Sequence, residues 1–475
     1  MSIHSAGQLV LDFLPQTPVV LEISPRQLTS DAGLLPMRLF DEKIGLTEQF
    51  AAALTDRRRD PEHTFLEMVR VRIFGLLADY EDQNDHDALR FDPVFKLVAG
   101  RQPEDEPLAS QPTHSRFENA IDIASLYRLR DVLIDQFLDS FDAPPSRLTF
   151  DIDTYDDPAH GAQQLVLFDG HNNQYQYQPR IITCAENDQV VMLCLLYGSA
   201  CAALGAEEDI PYLVERVRAK WPDVVIHLRG DSAFACPAMY DMCEALRIDF
   251  SFGFGMNPLL NRITQDLQAE ALGAYEDTGE PQRLFDAFEY RARSWPHSRW
   301  MIVKAEANAA GTNRRMMLTN RPGGRVLPGP CYDDYTDRGE SENRNKELKL
   351  GMHGERLSDH RYLANLFRLY LHAAALNLLV RLRRVVADPP PDPGGPLPQE
   401  AREGRQRRRG FNRRRERDPL GEGHPATWRT RLIKVAAEVI QSSRRVLVRL
   451  SASWPFHHHL RHVTERVNRF AAGFT

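Results

Sequence analysis

Cysteine is sparse in this chain: six residues, Cys184, Cys194, Cys201, Cys236, Cys243 and Cys331, with no C-x-x-C pair among 475 positions. That spacing argues against a disulfide framework and a zinc knuckle, and it fits a reducing cytoplasm. A long uninterrupted apolar run is also missing. The longest apolar stretch, Tyr362–Val386, is broken by Asn365, Arg368, His372 and Arg381, so it reads as a buried or amphipathic helix and not as a membrane span. The opening MSIHSAGQLVLDFLPQ has neither the basic start nor the apolar core of a signal peptide. There is no internal repeat and no general excess of positive charge. The net charge of −7 argues against a protein coated in basic surface. Arginine is nevertheless unevenly placed: Ala401–Leu420 holds nine arginines against three acids. A nucleic-acid-binding protein needs only such a basic track, not a basic total. With 42% hydrophobic and 26% charged residues, the remainder is ordinary for a globular chain of two to four domains.

Residues 1–145 read as a helical N-terminal domain, for which DNA binding and a plain packing role are both open. Asp60-Pro61 offers an N-cap with proline at the first helical position, followed by Phe65, Met68, Val69, Ile73 and Leu76 at helical spacing. A second helix is expected over Phe117–Leu138. The period changes at Arg147, where Leu148, Phe150 and Ile152 alternate with polar residues as in a strand, placing Asp151 and Asp153 on one face. Further strands are expected at Gln164–Phe168, Arg180 to about Leu196, Val224–Leu228 and Asp249–Phe254, with helices at Pro211–Trp221 and Met239–Leu246. Phe288–Arg293, Trp300–Ala307 and Arg315–Asn320 alternate within a β-rich stretch at 259–330. A core continuation is expected at 331–387, a disordered Pro/Arg-rich linker at 388–425 and an ordered C-terminal region at 426–475.

The stretch YTDRGESENRNKELK, Tyr335–Lys349, carries the densest chemistry. On a helix at about 100° per residue, Tyr335, Arg338, Glu342, Lys346 and Lys349 fall within roughly 80° of one another. One carboxylate ringed by a phenol and three cations suits an enzyme that holds a metal beside phosphodiesters. On spacing alone the simpler reading is a solvated face, with Arg338–Glu342–Lys346 as i,i+4 ion pairs. The acids upstream tip the balance. Two expected strands end in Asp153 and in Asp231, and the later helix supplies Glu342. Three antiparallel strands, helix, strand, helix, then an acid on a helix is an order that resembles the RNase H-like fold. The fold class expected is therefore α/β: an RNase H-like catalytic core, with a mixed five-stranded sheet and flanking helices, interrupted by the β-rich insertion. Three carboxylates can hold two divalent metals about 4 Å apart for an in-line displacement, and magnesium suits such oxygen ligands.

Four blocks carry a resemblance to a known family: DIDTYDDPAHGAQ (Asp151–Gln163), HLRGDSAFACPAMYDMCE (His227–Glu244), DRGESENRNKELK (Asp337–Lys349) and RTRLIKVAAEVIQSSRRVLVRL (Arg429–Leu450). The chain resembles the DDE transposases of bacterial insertion sequences (DDE domain group 1), and among them the insertion-sequence 1380 family. The third block, with Tyr335 just before it, also meets the Tyr-x2-Arg-x3-Glu-x6-Lys signature of β-strand-insertion transposases at every fixed position. The resemblance implies Asp153, Asp231 and Glu342 as catalytic, metal-binding acids. It implies Tyr335, Arg338 and Lys349 as contacts to the transposon-end backbone, with Lys346 beside them as a further DNA-binding residue. Two Mg2+ ions, replaceable by Mn2+, are implied as cofactors. Implied partners are double-stranded DNA (terminal inverted repeats and target) and a second copy of the chain in the synaptic complex, with no membrane. The implied location is cytoplasmic and nucleoid-associated. The reaction implied is cleavage at the element's ends followed by strand transfer, and whether a hairpin intervenes stays open. One departure stands out: where the family usually has Thr two positions after the first acid, this chain has Tyr155.

Other residues have plainer readings. Asp156 and Asp157 read as a turn ended by Pro158, His160 as structural, and His457-His458-His459 as a surface cluster. Trp295 and Trp300 fall where related transposases stack a flipped base, but burial accounts for them more simply. Two other function classes fit the same fold: an RNase H-fold nuclease without strand transfer, and a non-catalytic DNA-binding regulator derived from a transposase. Inverted repeats flanking the gene would argue against the first, and the intact acids speak against the second.

Overall fold

The computed structural model describes residues 8–11, 13–14, 16–387, 420–421 and 423–470. The arginine tract at 401–419 and most of the expected linker lie outside them. The alternation that begins at Arg147 does build a strand, β1 (Arg147–Thr154). It pairs antiparallel with β2 (Gln174–Cys184), which pairs antiparallel with β3 (Val190–Tyr197). On its other side β1 runs parallel to β4 (Val225–Gly230), and β4 parallel to β5 (Asp249–Phe254). The five therefore lie in the order β3-β2-β1-β4-β5. Three more strands, β6 (Gln282–Tyr290), β7 (Arg299–Asn308) and β8 (Gly311–Thr319), form a meander that joins this sheet through antiparallel β5–β8 pairing. The result is a mixed α/β protein around one ten-stranded mixed sheet.

The two faces of the sheet bury different partners. Alternation along β2 sends Ile181 to one side and Ile182 to the other. On the Ile182 side lie α1 (Ile123–Leu138), through Ile134 and Phe137, α2 (Ala206–Lys220) and α3 (Pro237–Ala245). After two short helices, α4 (Pro328–Thr336) and α5 (Gly339–Lys346), the chain forms a long helix, α6 (Tyr362–Val386), on the Ile181 side. It is packed among the N-terminal helices and residues 428–467. Among the described residues it is the one helix long and apolar enough to cross a membrane, and it is buried inside the protein. Its Asn365 and Asn377 satisfy backbone groups there, as at Val190.

Several expected boundaries move, each for a local reason. The first long helix starts at Phe65, not at Pro61. Thr64 and Glu67 form a reciprocal capping box, and Asp60 takes a positive φ. The expected helix over Phe117–Leu138 is two helices, Gln111–Asn119 and α1, because the Asp122 carboxylate caps the Ser125 N–H. The strand expected from Arg180 to Leu196 is the β2–β3 hairpin, folded at Ala185-Glu-Asn-Asp with Asp188 in the left-handed region. The strand expected at Gln164–Phe168 is Leu167–Asp169. Asp157-Pro158 is no turn but a two-residue edge strand on β2. The β-rich stretch opens with helices Pro258–Ile263 and Gln265–Thr278, and its strands are longer than the alternation suggested.

Buried beside α6, the rings of His86 and His114 lie 4.5 Å apart, tilted against each other, with neither ring exposed. Arg72 lies against His86 and is paired with Glu118. Burial holds His114 down to about 3 and His86 well below the usual imidazole range. Both are therefore neutral in the fold, whereas the unfolded chain takes up their protons near pH 6.5. Stability from such a group is complete above pH 6.5 and is lost as pH falls. Buried Asp157, raised to about 9, works in the opposite direction, so the effect is read as a difference between variants. His114→Phe should remove about 1.4 kcal/mol per pH unit of acid destabilisation between pH 6 and 4, measured by urea unfolding against pH. Parallel curves for the two proteins would contradict this.

Candidate active site

Parallel pairing of β1 and β4 sets Ile152 opposite Gly230, the last bridged pair. One residue further stand Asp153, still within β1, and Asp231, the first residue past β4, near enough that the Asp231 charge raises the Asp153 carboxyl. Gly230 is tightly enclosed: a Cβ there would stand 3.1 Å from each of the Ile152, Phe234 and Phe252 side chains, which would have to give slightly. Beyond it the chain turns sharply, and Asp231 caps that turn by accepting from the Ala233 N–H at 2.9 Å.

The third acid arrives on a helical segment that is not one regular helix. Residues Tyr335–Lys349 span the end of α4 (Pro328–Thr336), a break at Asp337-Arg338, α5 (Gly339–Lys346) and a π-helical turn at Glu347–Gly351. Gly339, a poor helix former, follows the break. The break puts Arg338 at the head of α5, where its guanidinium donates to Asp153 Oδ2 at 3.0 Å and to Glu342 Oε1 at 3.3 Å. Tyr335 reaches the same place from α4. Its hydroxyl lies where a Cβ on Gly253 would stand 2.5 Å away, so only glycine leaves it a seat beside β5. The π turn carries Lys349 out of line with the rest, onto Asp156 at 2.7 Å and towards Glu355 at 3.8 Å. Lys346 is exposed, and no Glu342–Lys346 pair forms. The expected single polar face is thus realised for Tyr335, Arg338 and Glu342 only. Lys349 sits to one side with Asp156.

Charge is arranged tightly here. Burial raises the Asp153 carboxyl to about 6, Arg338 pulls it back down, and Asp231 and Glu342 push it up. Asp231 and Glu342 are thus close enough to disfavour ionisation of Asp153, which is the situation a bound cation relieves. The donors are all carboxylate oxygens, which fits a hard divalent ion. Among the described residues no three acid, histidine or cysteine side chains are yet close enough to share one ion. The positive charge between Asp153 and Glu342 is that of Arg338, which would have to give way.

Further charged groups, which sequence periodicity alone does not reveal, hold this arrangement. Asp151, which the alternation places on the Asp153 face, is spoken for: Arg229 pairs with it through two bonds, of 2.6 and 2.7 Å. Asp334 in α4 accepts from Arg147 at 3.0 Å and from Arg321. Behind α5, buried Glu347 takes Arg344 at 2.6 Å, Arg383 of α6 at 3.0 Å and His424 at 2.7 Å. The signal for these was a run of charged residues at positions otherwise patterned as buried. Tyr155 explains the departure at that position: it is buried, and its hydroxyl donates to the Gly354 carbonyl. Trp295 is enclosed by Tyr240, Phe254 and Tyr290, as the burial reading held. Trp300 is half-buried, with Arg325 over its ring. His160 bonds the Glu355 carbonyl. His457–His459 open the helix His457–Arg469, with His457 and His458 exposed.

A family model described as transposase DDE domain, group 1, matches residues 12–389. The chain belongs to this family. No curated protein matches it. Membership in a DDE transposase family makes the chain a nucleic-acid-processing enzyme, and the matched span contains both strand-end acids and the Tyr335–Lys349 segment. In this family member the ion pair at the sheet end makes a direct prediction. Arg338→Ala should raise the Asp153 pKa above about 6, because it removes the one cation that opposes burial and two like charges. Carboxyl-carbon NMR titration of the metal-free protein reads this. An unchanged or lower value would show that Arg338 does not sit on Asp153.

Proposed function

We propose that this DDE transposase family member is a cut-and-paste DNA transposase of the insertion-sequence 1380 kind, cleaving at the ends of its element and joining them to target DNA. One observation carries the reading. Asp153 and Asp231 each follow the last bridged pair of adjacent parallel strands, and Arg338 links Asp153 to Glu342 from a separate segment. The β3-β2-β1-β4-β5 order supports an RNase H-like core, in which 146–258 and 331–387 make the core and 259–330 is an insertion extending its edge. Residues 1–145 would then contribute to binding the element's ends, and synapsis of two ends calls for a second copy of the chain.

In this reading Asp153, Asp231 and Glu342 hold a pair of magnesium ions, which would supply an activated water or 3′-hydroxyl and stabilise the leaving oxygen. The protein's own residues do the rest. Asp231 is kept at its angle by the Ala233 N–H. Arg338, once released from Asp153 and Glu342, is free to take a phosphate oxygen with its planar fork. Tyr335, seated against Gly253, presents a hydroxyl donor to the backbone next to the cut. Exposed Lys346 adds a point charge for a phosphate further along. Lys349 can exchange Asp156 for a phosphate at modest cost, since that pair is partly exposed.

The test is a nicking and strand-transfer assay on a duplex ending in the inverted repeats that flank the gene. Asp153→Asn, Asp231→Asn and Glu342→Gln should each lower cleavage by at least about 10³-fold, while gel-shift affinity for the same duplex without metal stays within threefold. Cleavage that survives Asp231→Asn would remove the assignment. The Asp153 carboxyl, near 6 in the metal-free protein, must be ionised to take a metal. Below pH 6, apparent Mn2+ affinity should therefore fall about tenfold per pH unit, and above pH 7 it should level off. An affinity flat from pH 5 to 8 would contradict the role given to Asp153.

A further inference from the structure

Arg229 stands two residues before Asp231 and is almost fully buried, as is its partner Asp151, two residues before Asp153. The two are directly opposite in the β1–β4 register. Nε and Nη2 of the guanidinium take the two carboxylate oxygens of Asp151, at 2.6 and 2.7 Å. The remaining nitrogen, Nη1, donates to the backbone carbonyl of Asp334, at 2.5 Å. That carbonyl belongs to α4, one residue before Tyr335, and α4 leads into α5 and Glu342. One side chain thus touches each of the three chain segments that bear the three acids, and touches none of the acids themselves.

The surroundings make the contact specific. On β4 the neighbouring polar group is His227, which bonds Ser251 of β5 and accepts from Arg147 of β1. Arg147 and Arg321 both hold the Asp334 carboxylate, so α4 is fixed through its side chain as well as through its backbone. A one-residue slip of β4 against β1 would put Asp231 on the opposite face of the sheet from Asp153. The forked Arg229–Asp151 pair joins residues directly opposite in that register, two positions before both acids, and so adds a side-chain tie to the backbone pairing there. A guanidinium can fill a bidentate carboxylate site and still reach a carbonyl with its third nitrogen; an ammonium cannot hold that planar geometry.

We propose that Arg229 is a positioning residue for the transposition reaction: it clamps β1, β4 and α4 together so that Asp153, Asp231 and Glu342 can bind metal. This rests on the reading of those three acids as the metal-binding set. It predicts that Arg229→Lys, which keeps the charge and loses the fork, weakens Mn2+ binding at least tenfold in an EPR titration. It should also lower single-turnover end cleavage at least 100-fold at saturating Mn2+. Metal-free affinity for the terminal duplex should change less than threefold. Asp151→Asn, which leaves the shape and removes one side of the fork's charge, should do the same in weaker form and gives the reading if Arg229→Lys does not fold. Leu376→Ala, in the apolar core of α6, serves as a control destabilised to a similar melting temperature, and its Mn2+ affinity should remain that of the parent. Arg229→Lys and Asp151→Asn proteins that keep Mn2+ affinity and cleavage rate within twofold of the parent would overturn the proposal. So would a Leu376→Ala protein that loses Mn2+ affinity equally, since the effect would then follow stability alone. Asp231→Asn run alongside separates the two claims: if it still cleaves, the acid assignment itself has failed, and if it does not, only the clamp is in question.

Discussion

Carboxylates gathered at one end of a sheet repel one another, by about 4 kcal/mol for a pair 4 Å apart at the effective dielectric of a protein surface. Asp153, Asp231 and Glu342 are under that constraint, and most of the charged side chains around them offset it. Arg338 stands between two of the three. Arg229 neutralises Asp151 and Lys349 neutralises Asp156, so the other acids of the DIDTYDD run add no net charge to the site. Asp157, fully buried with neither oxygen bonded, is pushed up to about 9 by burial and by Glu355 and is held as the neutral acid. Of the four aspartates in that run, only Asp153 is left for a ligand, with its charge balanced by a residue able to move.

The helical segment bearing Glu342 needs a rigid backing, because α5 itself is short and strongly polar. The backing is Glu347. Its carboxylate is held well below the usual range despite burial, because Arg383 and Arg344 outweigh the cost of desolvation. Arg383 belongs to α6, so the acid-bearing segment is tied by buried ion pairs to a long helix buried in the core. Removing one partner from such a cluster strands a buried charge, which makes the attachment stiff. The apolar core around α6 draws on the N-terminal helices, the sheet and residues 428–467 alike, so the site rests on packing contributed by distant parts of the sequence.

Alternation of apolar residues made the core strands readable. Asp249–Phe254 and Tyr362–Val386 have the bounds expected, and Leu148, Phe150 and Ile152 face inward in β1. Local capping chemistry misled where two signals competed. Asp60-Pro61 looked like a helix start, but Thr64 with Glu67 makes the better cap, and Asp122 starts a new helix where periodicity alone would have run one through. The candidate site was legible as a set of residues, not as a geometry. The spacing of Tyr335, Arg338 and Glu342 follows from one turn of helix, but the break at Asp337-Arg338 and the π turn at Glu347 do not show in a periodicity and change where Lys349 goes. The Arg229–Asp151 fork could not be read at all, because it depends on which strands are neighbours and in what register.

The central claim is that the three acids form one metal-binding site once Arg338 is displaced. Crystals of the protein with Mn2+ and a short duplex carrying an element end, measured for anomalous scattering at the manganese edge, test it most directly. The account predicts two anomalous peaks about 4 Å apart among the Asp153, Asp231 and Glu342 oxygens, with the Arg338 guanidinium turned onto a backbone phosphate. Manganese bound elsewhere, with Arg338 still bridging Asp153 and Glu342 beside the bound duplex, would contradict it.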